Sequence, residues 1–487
     1  MTEQQTAHGA GSNPLIIQGG MGIGVSNWTL ARAVSRLGQL GVVSGTAVDT
    51  VLVRRLQDGD PGAHMRRAMA AFPIPGVAEQ VLRRYFVLGG REGRASYKLL
   101  PLYKQAVSLA RQQVTMLANF VEVWLAKEGH DGVVGINLLT KVQMPNLPSI
   151  YGAMLAGVDH VLMGAGIPRE IPGVLDALAQ HRPVQLKLDV EGPAVVEPAV
   201  LTFDPLAHWP TPPEPIARPK FIAIVAASSL AATLARKATG RVDGFVVEGP
   251  TAGGHNAPPR GEARFTIEGE PVYGDRDVVD LAKMRELDIP FWLAGGTGTP
   301  AALTSALVAG AAGVQVGTLF AYCVESGLAP DLKTGVLAGV ADGTVRVRTD
   351  PRASPTGFPF KVVEVAEMPR QDDRRVRLCD LGYLRVGYRT PTGTLGYRCP
   401  AEPVDAYVAK GGKLADTEGR RCLCNGLAAN VGQPQPRGDT DELPLLTSGD
   451  DLTTLASFTG GRTSYGVADV VEYLLAGAAA GADAASA

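Results

Sequence analysis

A histidine inside a glycine-rich loop is the first candidate for chemistry in this sequence. The segment VVEGPTAGGHNAPPRG covers residues 246–261, and a predicted β-strand ends at Glu248. Among the seven histidines, only His255 directly follows a predicted strand end with a glycine loop around it. A neutral imidazole can accept a proton near pH 7, so His255 is a candidate catalytic base. Gly253 and Gly254 would let the loop lie against a flat ligand, and a structural loop histidine is the alternative.

A second pattern indicates a phosphate site. In the segment FWLAGGTGTPAALTSALVAGAAGVQVGTLF, one predicted strand ends in Gly295 and Gly296 and the next ends in Gly317 and Thr318. Two adjacent strands therefore deliver bare backbone amides to one end of a sheet, and glycine permits the close approach that a phosphate needs. In a barrel, the last two strand-to-helix loops are the usual phosphate site. Two ordinary glycine turns are the alternative.

The N-terminal segment PLIIQGGMGIGVSN partly matches a dinucleotide-binding fingerprint. Gly20, Gly22 and Gly24 alternate with other residues, but Asn27 stands where the third glycine of that fingerprint belongs. Asp49 lies at a plausible distance for a ribose contact, so a Rossmann-type domain is an alternative. That interpretation leaves the two later glycine loops unexplained. In a barrel, the same segment is the first strand-to-helix loop, with Met21 and Gly22 facing the mouth.

Two polar residues on predicted strands are weaker candidates. Asn137 ends the run VVGIN, and its amide could bond a heterocycle at the barrel mouth, although a turn or cap residue is an equal alternative. Lys187 is a possible cation, but it lies in a strand that we exclude from the barrel.

The C-terminal third of the chain holds four of the five cysteines, at Cys379, Cys399, Cys422 and Cys424. Four thiolates could bind zinc or an iron–sulfur cluster. The paired C-x-x-C spacing that makes such sites recognisable is missing, so we favour unligated structural cysteines and assign no metal ligands.

Apolar, β-branched runs alternate with amphipathic helical segments, as expected for parallel βα units. Nine runs are candidate strands: 15–18, 41–45, 133–139, 160–166, 184–190, 221–228, 244–250, 291–296 and 313–318. An α/β fold of the (β/α)8 TIM-barrel type uses eight. We exclude 184–190 because prolines in the segment that follows forbid the expected helix. That run therefore predicts an inserted hairpin and loop.

The predicted organisation is a barrel with insertions and a C-terminal accessory region. The expected parts are a disordered lead-in (1–13), the barrel (14–330) with insertions at about 46–130 and 184–219, an accessory or lid region (331–450) and a C-terminal helical segment (451–487). In the last part, Thr463 or Ser464 could cap a helix over 463–482.

Composition excludes several classes of protein. With 46 basic and 48 acidic residues, the chain gives no electrostatic case for binding nucleic acid or an anionic membrane. No apolar run reaches the roughly 18 residues that span a bilayer, and the N-terminus lacks a signal-peptide pattern. The odd cysteine count argues against a disulfide scaffold and predicts a cytoplasmic protein. The oligomeric state is left open.

Five segments, in this order along the chain, resemble the nitronate monooxygenase family, formerly called 2-nitropropane dioxygenases. The segments are IIQGGMG, GIN, EGPTAGGH, LAGG and GVQVGT. The family consists of FMN-dependent barrels related to flavin enoyl reductases of fatty-acid and polyunsaturated-fatty-acid synthesis. The likeness covers roughly residues 12–45 and 131–325, apart from the inserted hairpin.

The resemblance implies an FMN cofactor and a small-molecule substrate, with His255 over the flavin ring as base or substrate anchor. The expected cofactor-binding residues are Gly20, Met21, Gly22, Asn137, Gly253 and Gly254 at the ring, and Gly295, Gly296, Gly317 and Thr318 at the phosphate. Two positions depart from the family pattern. Gly20 stands where the family usually has proline, and Leu319 stands where it often has arginine.

The leading functional hypothesis from this resemblance is oxidation of nitronates or nitroalkanes by O2. The nearest alternative is an NAD(P)H-dependent reductase of enoyl thioesters, of fatty-acid or polyketide type, with His255 as proton donor. An alternative of another class is a non-catalytic flavin- or metal-binding partner protein built around the cysteine segment.

Overall fold

The structure is a computed structural model that describes residues 13–192, 198–366, 368, 370–371 and 375–485. The predicted lead-in lies outside these residues except for Asn13. The strands are β1 (Ile16–Gln18), β2 (Gly41–Ser44), β3 (Val134–Leu139), β4 (His160–Gly164), β5 (Val184–Lys187), β6 (Val190–Glu191), β7 (Val200–Phe203), β8 (Lys220–Val225), β9 (Gly244–Glu248), β10 (Phe291–Ala294), β11 (Gly313–Val316), β12 (Arg346–Asp350), β13 (Phe360–Glu364), β14 (Val386–Arg389), β15 (Leu395–Arg398), β16 (Pro436–Arg437) and β17 (Thr440–Asp441).

Helices connect most of the parallel strands. They are α1 (Trp28–Arg36), α2 (Val48–Gln57), α3 (His64–Ala70), α4 (Val77–Tyr85), α5 (Leu109–Lys127), α6 (Asn146–Leu155), α7 (Ile171–Ala179), α8 (Ser228–Lys237), α9 (Leu281–Arg285), α10 (Pro300–Val308), α11 (Thr318–Ala321), α12 (Pro330–Ala341), α13 (Val404–Ala409), α14 (Leu423–Ala429), α15 (Leu452–Thr459) and α16 (Val467–Ala485). No helix among the described residues is long and apolar enough to cross a membrane.

Eight parallel strands form the predicted (β/α)8 barrel. Their spatial order is β1-β11-β10-β9-β8-β4-β3-β2, and a bridge between Ile17 and Leu40 connects the first and last strands. The backbone N–H of Gln18 donates to the Leu40 carbonyl at 2.9 Å. The Rossmann-type alternative is therefore wrong, because its sheet is open and has a different strand order.

The barrel interior is filled by apolar side chains that point inward from successive strands, as this fold requires. This interior cluster comprises Ile17, Leu40, Val42, Leu162, Ile222, Val246, Trp292 and Ala294. At the N-terminal end of the barrel, the indole N–H of Trp292 donates to the Pro14 carbonyl at 2.7 Å. The barrel is thus packed below its mouth, and the open space lies at the carboxyl ends of the strands.

The excluded strand lies outside the barrel, as predicted. Strand β5 pairs antiparallel with β7, from Val184 opposite Phe203 to Lys187 opposite Val200. The short strand β6 then pairs with β14 of the C-terminal region. The predicted domain boundaries remain predictions.

The described residues of 345–451, which we call the cap, cover the barrel mouth. A separate hydrophobic cluster joins the cap to the first two barrel loops. It contains Ile23, Ala47 and Val51 from the barrel side, with Phe360, Tyr383 and Leu423 among its cap members. Burying side chains of this size contributes about 1.5–3 kcal/mol each, so the cap is held firmly against the barrel.

The last helix begins later than its sequence pattern predicts. Helix α16 starts at Val467, and the Asp469 carboxylate accepts from the Gly466 N–H at 2.7 Å. The assignment of Thr463 or Ser464 as the cap is therefore wrong. A carboxylate in the first turn satisfies the free N–H instead.

Candidate functional site

One cavity of about 230 Å³ lies between the carboxyl ends of the barrel strands and the cap. All eleven site residues predicted from the sequence line it: Gly20, Met21, Gly22, Asn137, Gly253, Gly254, His255, Gly295, Gly296, Gly317 and Thr318. The three glycine loops, which are far apart in the chain, therefore meet in one place. Their assigned roles remain proposals.

The first loop and the end of β3 are packed too closely for a side chain at position 20. The Asn137 amide donates to the Gly20 carbonyl at 2.7 Å, and a Cβ on Gly20 would lie 2.2 Å from the Asn137 Cβ. This contact explains why glycine, and not proline, occupies this position here. The Asn137 Oδ1 is buried without a hydrogen-bond partner, so it offers an acceptor to the N–H of a bound heterocycle.

In the loops after β10 and β11, glycines leave backbone groups accessible to a ligand. Gly295 and Gly296 have φ values of +91° and +70°, which L side chains rarely adopt. A Cβ on Gly295 would lie 2.8 Å from the Thr251 Oγ1 and 3.0 Å from the Ala252 nitrogen. Helix α10 begins after this loop, where the Thr299 hydroxyl caps it by accepting from the Ala302 N–H at 3.1 Å. Free N–H groups in this arrangement suit a phosphate.

The cap supplies polar groups at the same end of the cavity. The Thr318 hydroxyl donates to the Asp451 carboxylate and accepts from the Gly449 N–H at 3.2 Å. Asp451, Ser448 and Gly449 all line the cavity. Burial, with the neighbouring Asp450 carboxylate, raises the pKa of Asp451.

His255 is held by the cap as well as by its own loop. Its Nε2 lies 2.7 Å from the Ser354 hydroxyl, and its ring packs against Phe360 with ring centroids 4.9 Å apart. The backbone of Gly254 is tied to the cap on both sides, since its N–H donates to the Thr447 hydroxyl at 2.8 Å and its carbonyl accepts from the Lys361 N–H at 2.9 Å. Burial lowers the pKa of His255 to about 4, so the imidazole is neutral at pH 7.

Glu248, at the carboxyl end of β9, is a second titratable group in the cavity. Burial raises its pKa to about 8, so this carboxyl carries a proton at pH 7. The sequence analysis used Glu248 only to mark a strand end. Its position was a usable signal, because residues at the carboxyl ends of barrel strands commonly take part in catalysis.

A neighbouring chamber opens beside His255 and Glu248. It shares these two residues, together with Ala165 and Ile224, with the first cavity and is lined largely by apolar side chains. The apolar lining includes Ile167, Ile224, Leu230, Pro258 and Phe358. The chamber offers space for an apolar part of a substrate next to the proton-carrying groups.

The weaker sequence candidates lie elsewhere. Lys187 is exposed on β5, outside the barrel. Cys379, Cys399, Cys422 and Cys424 line one small, apolar cavity in the cap, and all four are free thiols. Within the described ranges, no group of three or more His, Cys, Asp and Glu side chains is arranged to hold a metal ion.

Sequence reasoning missed the cap residues of the site, including Ser354, Phe360, Thr447 and Asp451. None of them follows a barrel strand, and the cap strands are short and irregularly spaced. Ser354 and His255 are 99 positions apart in the chain, and Thr318 and Asp451 are 133 apart. No local spacing rule connects such residues.

Comparison with protein families supports the resemblance. Residues 190–352 match the family model described as nitronate monooxygenase. This range includes β8 to β11, the histidine loop and both proposed phosphate loops. The match identifies an enzyme of the oxidoreductase class and supports a flavin cofactor. No curated protein matches the chain.

Several solved structures align over nearly the whole chain. FabK from Thermotoga maritima is 17% identical with a TM-score of 0.47, and the alignment covers 96% of this chain and 93% of that one. Nitroalkane oxidase from Streptomyces ansochromogenes is 16% identical with a TM-score of 0.44 and 97% coverage of both chains. The enoyl reductase domain of MlnA, from the macrolactin biosynthesis cluster of Bacillus amyloliquefaciens, is 12% identical with a TM-score of 0.47, and covers 97% of this chain and 95% of that one.

Proposed function

From the match of residues 190–352 to the nitronate monooxygenase family, we propose that the protein is an FMN-dependent oxidoreductase that oxidises nitronates or nitroalkanes with O2. The observation that carries this proposal is the single cavity in which three glycine loops meet a neutral histidine. The substrate is then a small molecule that enters between barrel and cap. We also propose a cytoplasmic location, on the cysteine usage alone.

The cavity suits a flat ring joined to a phosphate. Gly295, Gly296, Gly317 and Thr318 would hold the phosphate through backbone N–H groups and one hydroxyl. Gly20, Met21, Gly22, Asn137, Gly253 and Gly254 would line the ring. The unpaired Asn137 Oδ1 supplies an acceptor for a ring N–H, and the glycines keep side chains out of the space that the ring needs.

His255 and Glu248 have different roles, one as a proton acceptor and the other as a hydrogen-bond donor. The Ser354 hydroxyl lies within hydrogen-bond distance of the His255 Nε2 and orients the ring. The neutral His255 can accept the α-proton of a nitroalkane or bind the nitronate, while the protonated Glu248 can donate a hydrogen bond to a developing negative charge. A bound flavin would accept the substrate's electrons and pass them to O2.

A second candidate function is the NAD(P)H-dependent reduction of an enoyl thioester. The apolar chamber beside His255 favours it, since a compact nitroalkane does not need such a chamber. In this case the proton donor at pH 7 would be Glu248, because His255 is neutral. A non-catalytic binding protein gives no reason for placing a neutral histidine and a protonated carboxyl in one cavity.

Anaerobic mixing of the purified protein with candidate electron donors tests the proposal. The protein should be yellow and should release FMN on denaturation. Bleaching of the flavin absorbance by an alkyl nitronate supports the monooxygenase, and bleaching by NADPH supports the reductase. A colourless protein without affinity for flavin would overturn both.

A further inference from the structure

We propose that Asp451 couples binding of the flavin phosphate to a proton: its neutral carboxyl donates a hydrogen bond to the phosphate, and its ionised form repels it. This inference rests on the proposed FMN site and assigns a binding residue from the cap. It also accounts for a carboxyl group at the end of the cavity where an anion is expected.

The position of Asp451 carries the inference. Its Oδ1 accepts from the Thr318 hydroxyl, and Thr318 is one of the four residues proposed to hold the phosphate. The adjoining loop is closely packed, since a Cβ on Gly449 would lie 2.6 Å from the same carboxylate oxygen. A Cβ on Gly298, in the loop after β10, would lie 3.1 Å from the other oxygen. The carboxyl therefore lies between the two predicted phosphate loops.

The cavity offers no cation to balance a phosphate and an ionised Asp451 together. Its described lining contains no lysine or arginine, and its other titratable groups are His255 and Glu248. The nearby Lys361 is engaged, because its Nζ lies 2.6 Å from both Asp450 carboxylate oxygens.

The groups that face Asp451 also favour its neutral form. Asp450 precedes it in the chain and adds a negative charge, while Tyr322 and Tyr465 approach it as neutral phenols. The Thr318 hydroxyl and the backbone N–H of Asp451 itself stabilise the carboxylate by hydrogen bonds. Burial and the neighbouring charge outweigh these two contacts, so the pKa of Asp451 is raised.

The proton balance follows from these charges. Where free Asp451 is ionised, binding of the phosphate takes up one proton from solvent onto the carboxyl, and no covalent bond changes. Affinity for FMN should then fall by up to about tenfold for each pH unit above the pKa of free Asp451. Riboflavin has the same ring without the phosphate and meets the same Glu248 carboxyl, so the ratio of FMN affinity to riboflavin affinity isolates the effect at the phosphate.

Fluorescence titration of the apoprotein with FMN and with riboflavin, between pH 7 and 9, tests this coupling. A phosphate monoester has its second pKa near 6, so the ligand's own charge is nearly constant in this range. With rising pH, the wild type should lose affinity for FMN relative to riboflavin. Asp451→Asn should bind FMN at least about tenfold more tightly at pH 9 and remove the pH dependence of this affinity ratio.

Asp405→Asn is the control, because Asp405 is an exposed carboxyl of the cap that does not line the cavity. It should leave the pH dependence of the affinity ratio in place. The inference is overturned if Asp451→Asn weakens both flavins equally, since Asp451 would then only position Thr318. It is also overturned if wild-type affinities for FMN and riboflavin follow pH in the same way. A folded wild type that binds neither flavin would instead overturn the proposed function, and this inference with it.

Discussion

The barrel loops and the cap contribute different chemistry to the same cavity. The barrel side is built from glycines and exposed backbone, which set the shape of the space and can hold an anion through N–H groups. The cap side brings hydroxyl and carboxyl side chains, at Ser354, Thr447, Ser448 and Asp451. The barrel therefore sets the shape of the cavity, whereas the cap orients barrel side chains such as His255 and Thr318 through hydrogen bonds.

The largest effect is expected at His255, which lies where barrel and cap meet. His255→Asn should lower turnover by about 10²- to 10⁴-fold, because a positioned proton acceptor is lost. Bound flavin should remain, since the glycine loops are unchanged. Turnover and flavin content of the two proteins check this. Full turnover by the variant would show that His255 is not catalytic.

Adding a methyl group at Gly253, between the barrel and the cap, should have the next largest effect, on stability and flavin binding. A Cβ on Gly253 would lie 2.8 Å from the Ser448 carbonyl carbon and 2.9 Å from the Gly449 nitrogen, so Gly253→Ala must separate the two regions. We expect a loss of about 1–3 kcal/mol in the free energy of unfolding, with weaker flavin binding.

Gly393→Ala, in the turn between β14 and β15, is the control for this prediction, because Gly393 does not line the cavity. A Cβ there meets no atom within 4 Å, so the cost comes from its φ of +80° alone, about 1 kcal/mol. Urea unfolding and flavin titration measure both variants. If Gly393→Ala weakened flavin binding as much as Gly253→Ala, close packing of the cap against the Gly253 loop would not be what holds the site.

Substitution of Glu248 tests whether this carboxyl on the barrel side is protonated in the folded protein. Its pKa is raised from 4.5 to about 8 on folding, so the folded state binds more protons than the unfolded state between these values. Stability should therefore fall as pH rises in this range, by at most about 1.4 kcal/mol per unit. His255, with its pKa lowered from 6.5 to about 4, acts in the opposite direction below pH 6.5.

The contribution of Glu248 is therefore best measured between pH 6.5 and 8, where His255 does not contribute to the pH dependence. Glu248→Gln should flatten the free energy of unfolding there, as followed by urea unfolding at several pH values. An unchanged slope would mean that Glu248 is ionised in the folded protein.

Substitution of Ser354 should have the smallest effect on turnover, because Ser354 acts through its hydrogen bond to His255. Ser354→Ala removes one hydrogen bond to Nε2, worth about 0.5–1.5 kcal/mol, so turnover should fall by up to about tenfold. The pH dependence of turnover should shift while flavin content stays constant. Thr356→Val, which leaves the contact between His255 and Ser354 in place, is the control. If Thr356→Val reproduced the loss, the effect would belong to the whole cap loop.

The sequence predicts the barrel better than the cap for a physical reason. Barrel strands are apolar runs that alternate with helical segments, so local patterns identify all eight and the prolines after Lys187 exclude the ninth. The Gly20–Asn137 contact needs three-dimensional packing, although each residue was predicted separately. Ser354 and Asp451 lie in loops whose place is set by contacts with distant residues, and no periodic pattern marks them.

The hydrophobic cluster that joins the cap to the first two barrel loops has a consequence for the order in which the protein is assembled. Ile23, Ala47 and Val51 are synthesised several hundred residues before their apolar partners in the cap. The cavity therefore gains its last wall only when the cap, with Asp451, has been synthesised. The proposed flavin would then be loaded late in biogenesis, and the flavin content of a preparation would report how much of the chain has completed that final docking.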